Sequence, residues 1–275
     1  MDSMDHLRLR TVEGRAALEA LLARPDKAVV ALDFDGTLAP IVDDPAQARA
    51  EPAAVEALVR LAPKLDSVVV VTGRPAALAV QLGGLDAVPG LVVLGHYGRE
   101  RWEAGEVTAP EVPEGIAKVR EALPGLLSDQ KADPGVSIED KGGALAVHTR
   151  RAADPGEWFR TLRDPLDELA AAHGLTLEPG RFVLEIRPAG VDKGTALTEY
   201  LAERGAETVL FAGDDLGDLP AFAAVDVFRS HGGQHGLGVC SGSAEVYVLA
   251  ERADLIVEGP AGVAELLESL VTALR

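Results

Sequence analysis

Short apolar runs alternate along the chain with segments in which apolar residues recur every three or four positions. Residues 27–32 (KAVVAL), 67–72 (SVVVVT), 91–94 (LVVL) and 208–212 (TVLFA) are mostly apolar and bounded by polar or turn residues. That pattern predicts buried strands. Residues 52–62, 75–82 and 192–204 carry helical spacing, and 262–274 predicts a closing helix. Strand–helix alternation of this kind predicts a parallel sheet covered by helices on both faces.

The middle of the chain follows another order. Residues 116–127 predict a helix, 136–139 and 144–149 strands, 157–172 a helix and 182–186 a strand. Residues 140–143 read as the turn of a hairpin between the first two strands. This is an α+β pattern. It predicts a smaller domain over residues 109–189, inserted into a core made of 1–108 and 190–275. The borders contain Pro and Gly, as linkers between domains often do.

A length of 275 residues suits one large domain or a domain carrying a smaller one. Lysine and arginine number 26 against 44 acidic residues, a net charge of −18. So negative a surface repels phosphate backbones and anionic lipids, which argues against a nucleic-acid or membrane binder. An anionic substrate must then be met by a local positive group or a metal ion. Cys240 is the only cysteine, so the chain can form no intrachain disulfide and no cysteine zinc cluster. The start, MDSMDHLRLR, lacks the apolar stretch of a signal peptide, and no apolar run approaches a membrane span. The expectation is a soluble cytoplasmic protein that acts on a small molecule, with a monomer the favoured state.

Four short motifs carry candidate chemistry. Asp33-Phe34-Asp35-Gly36-Thr37 directly follows a predicted strand. Residues two apart on a strand point the same way, and two carboxylates held together repel each other unless a cation is near. A plain polar turn is the other reading. An EF-hand loop is not, because its glycine belongs at the sixth position. Thr72-Gly73-Arg74-Pro75 follows a second strand. It reads either as a phosphate cradle at a helix start or as a helix cap. Lys193 opens a predicted helix, either as a site cation or as a surface ion-pair partner. The upstream glycine spacing of a P-loop is absent. Gly213-Asp214-Asp215-Leu216-Gly217-Asp218 follows a further strand, a candidate cation site in which Asp218 can also cap a helix.

The ordered set DxDGT, TGR, K, GDDxxD resembles the haloacid dehalogenase superfamily of phosphatases. The resemblance implies a Rossmann-like, doubly wound α/β core with an inserted α+β cap. It implies that Asp33 is a nucleophile forming an aspartyl-phosphate and that Asp35 is the general acid and base. Asp33, the Asp35 backbone carbonyl and Asp214 would hold Mg²⁺, with Asp215 and Asp218 behind them. Thr72 and Lys193 would bind the transferring phosphoryl oxygens, and Gly73 and Arg74 would contact substrate. The charges agree with this. Asp33, Asp214 and a phosphomonoester bring about −4, against +3 from Mg²⁺ and Lys193.

Further wording resembles trehalose-6-phosphate phosphatases. The pieces are Gly95-His96-Tyr97-Gly98, Ile138-Glu139-Asp140-Lys141-Gly142, Ala146-Val147-His148-Thr149-Arg150 and Leu184-Glu185-Ile186-Arg187-Pro188. That resemblance implies sugar recognition by Glu139, Lys141 and Glu185, with Arg150 and Arg181 reaching the phosphate or a hydroxyl when the cap closes. Ordinary cross-strand pairing on a solvated sheet face is the other reading of these residues. Such enzymes often place Thr-Asp-Glu one residue after GDD, whereas here Gly217-Asp218-Leu219 stands there. The expected function is hydrolysis of trehalose 6-phosphate. The alternatives are another sugar phosphate such as sucrose phosphate or a mannosyl-phosphoglycerate, a phosphomutase, or a non-catalytic sensor. The run Ser230–Cys240, rich in glycine, holds two histidines and the cysteine in no zinc spacing, and it reads as a flexible loop.

Overall fold

The computed structural model describes residues 4, 7–180, 182–242 and 247–274. In chain order the first elements are α1 (Val12–Ala23), β1 (Ala28–Leu32), α2 (Pro52–Leu61), β2 (Ser67–Val71), α3 (Ala76–Gly83), β3 (Val92–Gly95), β4 (Glu100–Glu103) and β5 (Glu106–Thr108). Next come α4 (Glu114–Asp129), β6 (Ser137–Asp140), β7 (Leu145–His148), α5 (Pro155–Ala172), β8 (Leu175–Gly180) and β9 (Val183–Pro188). The last are α6 (Lys193–Arg204), β10 (Thr208–Gly213), α7 (Leu219–Ser230), β11 (His235–Ser241), α8 (Tyr247–Arg252), β12 (Leu255–Val257) and α9 (Gly259–Ala273). The chain divides into two compact units, Met1–Ala109 with Asp192–Arg275, and Pro110–Val191.

The larger unit is the doubly wound α/β sheet that the strand–helix alternation predicts. Its strand order is β12-β11-β10-β1-β2-β3-β4-β5, and the strands from β12 to β3 are parallel. The strands β4 and β5 add an antiparallel edge, which the apolar pattern does not reveal because their side chains are partly or fully exposed. Side chains alternate between two cores. Val30, Leu32, Val68, Val70 and Leu210 pack with α1, α2, α3 and α9. Val29, Ala31, Val69, Val71 and Phe211 pack with α6, α7 and α8. Both faces are buried, so the strands read as continuous apolar runs. The chain steps from β1 outward to β2 and β3, then returns to the other side of β1 as β10. The order therefore reverses beside β1, where a doubly wound sheet opens a crevice at its carboxyl edge.

The expectation of a flexible loop over residues 230–240 is corrected. Residues 235–241 form β11, an interior strand paired in parallel with β10 and β12. Its glycines are there because α7 lies close. A Cβ on Gly236 would stand 2.7 Å from a Val225 methyl, and one on Gly238 would stand 3.0 Å from the Phe222 ring. A strand glycine marks such an approach of another element. Buried Asp254 ties this corner together. It accepts from Gly238 N at 2.8 Å and from Arg229 Nη1 at 3.0 Å, and it pairs with the Thr11 hydroxyl that caps α1.

The smaller unit is a four-stranded antiparallel sheet in the order β6-β7-β9-β8. Leu145, Val147, Leu184 and Ile186 face Ile116, Val119, Leu162 and Leu166 of α4 and α5. The alternate set, Glu139, Ala146, Glu185 and Glu178, forms one cross-strand row on the other face. Among the described residues, no helix is long and apolar enough to cross a membrane.

Candidate active site

The strands β1, β2 and β10 end in step. Leu32 pairs with Val70 on one side and with Ala212 on the other, so Asp33, Thr72 and Asp214 leave the sheet at the same edge. Asp33 keeps the ladder one step further, donating its N–H to Ala212 O at 2.9 Å. Lys193 is the first residue of α6, whose N-cap Asp192 accepts from Thr195 N. Its ammonium stands 2.7 Å from Asp33 Oδ1 and 2.7 Å from Asp218 Oδ1. Asp33, Asp214, Asp218 and Lys193 are all buried.

Asp33, Asp214 and Asp218 bring carboxylate oxygens within 4.8 Å of one another. Burial foremost, then the neighbouring acids, pushes Asp33 well above the ordinary carboxylate range despite Lys193. Burial first and Asp218 next push Asp214 up to about 8. Asp215 is raised too, again mainly by burial. Burial draws Lys193 down, but Asp218, Asp33 and Asp215 together outweigh it, so the ammonium is held charged. The cluster thus holds more negative charge than one lysine neutralises, and a cation beside Asp33 and Asp214 would relieve it.

The three acids are not equivalent. Asp218 spends Oδ1 on Lys193 and Oδ2 on the backbone N–H groups of Asp214 and Asp215, at 2.9 and 3.1 Å. Asp215 completes a capping box by accepting from Gly217 N at 2.8 Å. Asp218 and Asp215 therefore shape the loop, while Asp33 and Asp214 carry the carboxylates that fit a cation. Gly36 has φ +73°, and a Cβ there would lie 2.0 Å from Asp214 Oδ2. The Asp214 carboxylate therefore rests on the backbone of the Asp35–Gly36 turn, and a side chain at 36 would push it out. Hard oxygen donors in this setting fit a small divalent cation.

The turn after β2 has some of its donors already engaged. Thr72 Oγ1 accepts from Arg74 N at 3.1 Å, closing the turn. The first N–H of α3, on Ala76, is already taken by Glu100 Oε2 at 2.7 Å. A carboxylate from β4 thus occupies one of the N–H donors at this helix start. Arg74 pairs with Asp35, with Nη2 2.6 Å from Oδ1. Gly73 lies under the Tyr97 ring. Sequence reasoning missed Glu100, and it missed Ser241 at the end of β11, whose hydroxyl donates to Gly36 O at 2.7 Å. The unrecognised strand β11 hid the second. The fragment Gly95-His96-Tyr97-Gly98 gave a local signal, and there Tyr97 N donates to Thr72 O at 2.9 Å.

In the smaller unit, Lys141 sits in the β6–β7 turn and donates to Glu185 Oε2. Glu185 is buried, and its Oε1 is buried with no hydrogen-bond partner. Arg120 grips Asp140 and the Gly142 carbonyl, fixing the turn that carries Lys141. Glu139 lies 2.8 Å from His148 Nε2. Arg150 is exposed at the turn after β7, and Arg181 lies outside the described residues.

The trehalose-phosphatase family model matches residues 31–251. The trehalose-phosphate phosphatase of Mycobacterium tuberculosis (strain ATCC 25618 / H37Rv) is 32% identical over 279 residues, covering 94% of this chain and 64% of its own length. The chain thus spans under two thirds of that relative. Among solved structures, the C-terminal domain of Candida albicans trehalose-6-phosphate phosphatase is 22% identical with a TM-score of 0.77, covering 98% of this chain and 99% of its own. The C-terminal domain of a Candida albicans trehalose synthase regulatory protein matches at 12% identity and a TM-score of 0.69, covering 96% and 99%. Those two likenesses concern the fold.

Proposed function

The chain belongs to the trehalose-phosphatase family, and on that premise we propose that it is a magnesium-dependent phosphatase that hydrolyses trehalose 6-phosphate to trehalose and phosphate. The observation that carries this reading is the Lys193 ammonium bridging Asp33 and Asp218 inside a buried acidic cluster at the carboxyl edge of the sheet.

Asp33 is the nucleophile. Its carboxylate attacks phosphorus as the bond to the sugar oxygen breaks, giving an aspartyl-phosphate. The carboxyl of Asp35 gives its proton to the departing oxygen. It then takes a proton from the water that attacks the phosphoryl group, and Asp33 is released with inorganic phosphate. Lys193 neutralises Asp33 and holds a phosphoryl oxygen, and the Thr72 hydroxyl supplies a further donor. Asp33, Asp214 and the Asp35 carbonyl would hold a magnesium ion, whose charge would let an anionic ester approach an anionic nucleophile. Asp218 and Asp215 hold the loop that carries Asp214. In the smaller unit, Glu139, Lys141 and Glu185 read the sugar. Charged groups bind hydroxyls strongly, and the Glu139 carboxylate, 45% exposed, is open to one.

Phosphate release from a panel of sugar phosphates, with and without a chelator, tests the proposal. Trehalose 6-phosphate should be the best substrate and the chelator should abolish turnover. Equal rates on glucose 6-phosphate would remove the substrate assignment. Binding of the trehalose ester with no release of phosphate would favour a regulatory role, like that named for the second Candida albicans protein.

A further inference from the structure

Arg74 is spent on neighbours within the protein. Nε donates to Asp35 Oδ2 at 2.7 Å and Nη2 to Asp35 Oδ1 at 2.6 Å, so both carboxylate oxygens are gripped at once. Nη1 donates to the Pro45 carbonyl at 2.9 Å. The guanidinium carbon stands 5.4 Å from the centre of the Phe34 ring. The arginine side chain is 12% exposed and the aspartate 40%. The arginine is therefore the anchored member and the carboxylate the member open to a reactant. The main chain is fixed as well, since Arg74 O accepts from His96 N at 2.9 Å.

We infer that Arg74 is a positioning residue. It fixes the plane of the Asp35 carboxylate for proton transfer to the leaving oxygen, and the TGR arginine does its work there instead of on the phosphate. This rests on the reaction proposed above. A carboxylate open to solvent turns easily about its last torsion. A forked guanidinium removes that freedom, because two parallel bonds fix both direction and plane. Each carboxylate oxygen has two lone pairs, so accepting one bond from Arg74 leaves each oxygen a site for the transferred proton. In the transfer the Asp35 O–H bond breaks and an O–H bond forms on the sugar oxygen as its bond to phosphorus breaks. No co-reactant is needed. Lysine cannot replace the fork, since its ammonium is a point charge on a flexible stem.

The test exploits the leaving group. A sugar alkoxide must be protonated as it departs, whereas p-nitrophenolate leaves without a proton. The Arg74→Lys, Arg74→Gln and Arg74→Ala variants are compared with the unaltered chain, with magnesium present, on an alkyl ester and on p-nitrophenyl phosphate. The alkyl ester is trehalose 6-phosphate, or glucose 6-phosphate should the first not turn over. Thermal melts select the variants that remain folded. The inference predicts that kcat on the alkyl ester falls about 100-fold, and that the alkyl-to-aryl ratio of kcat falls at least about tenfold, in Arg74→Lys as well. In an Asp35→Asn background, Arg74→Gln should cost almost nothing more. A rise in KM with both esters affected alike would overturn the inference and return Arg74 to phosphate binding. So would additive losses in the double variant, or full activity in Arg74→Lys. Failure to turn over the trehalose ester while glucose 6-phosphate shows the ratio effect would sink the substrate assignment alone. A chain that turns over neither alkyl ester would sink both.

Discussion

The two units handle buried charge in opposite ways. In the larger one, Asp33, Asp214, Asp218 and Lys193 crowd one sheet edge, and Asp218 engages one oxygen with Lys193 and the other with the backbone of its own loop. In the smaller one, Glu185 pairs with Lys141 and leaves one buried oxygen unmatched. The first arrangement has excess negative charge that calls for a cation. The second leaves one buried acceptor without a donor. Under the proposed function, chemistry would fall to the charge cluster of the larger unit and recognition to the smaller unit.

Four perturbations break or sharpen that division. Asp33→Asn should lower kcat at least about 10³-fold on every ester, because the attacking group itself is lost. A loss within tenfold would contradict its role. Glu185→Gln and Lys141→Ala should lower kcat/KM for trehalose 6-phosphate about 10–100-fold, the worth of a hydrogen bond to a charged group. The loss on p-nitrophenyl phosphate should be at least about tenfold smaller. Equal losses on the two esters would erase the division. Gly238→Ala should cost about 1–3 kcal/mol in chemical denaturation, because its Cβ presses on the Phe222 ring. No change would mean that α7 moves aside freely.

The smallest effect is on pH. Asp214 titrates near 8 in the fold and near about 4 unfolded. Between those values the folded chain holds the extra proton. The contribution to stability is therefore full below the unfolded value and is lost as pH rises through about 8. Metal-free thermal midpoints should fall from pH 5 to pH 8, and added magnesium should stabilise more at pH 8. Asp214→Asn should flatten the metal-free slope, and an unchanged slope would contradict the assignment.

The sequence made the larger unit's sheet legible where both faces are buried. The runs at 28–32, 67–71 and 208–213 are continuous because helices cover them on both sides. It hid β11, whose glycines answer to α7, a contact no local pattern contains. It hid β4 and β5, which lack a buried face. The acids at strand ends were legible because residues two to five apart meet within one loop. Glu100 on Ala76 N, Ser241 on Gly36 O and Arg74 on Asp35 were not, since register between distant segments creates them.

The central claim is that Asp33 carries the phosphoryl group. Acid quenching during turnover of trehalose 6-phosphate, followed by borohydride, reduces an acyl phosphate to an alcohol. Peptide mass spectrometry should then find homoserine at position 33, and only in the sample given substrate. Steady phosphate release with residue 33 unaltered, or with the alcohol at position 214, would contradict it.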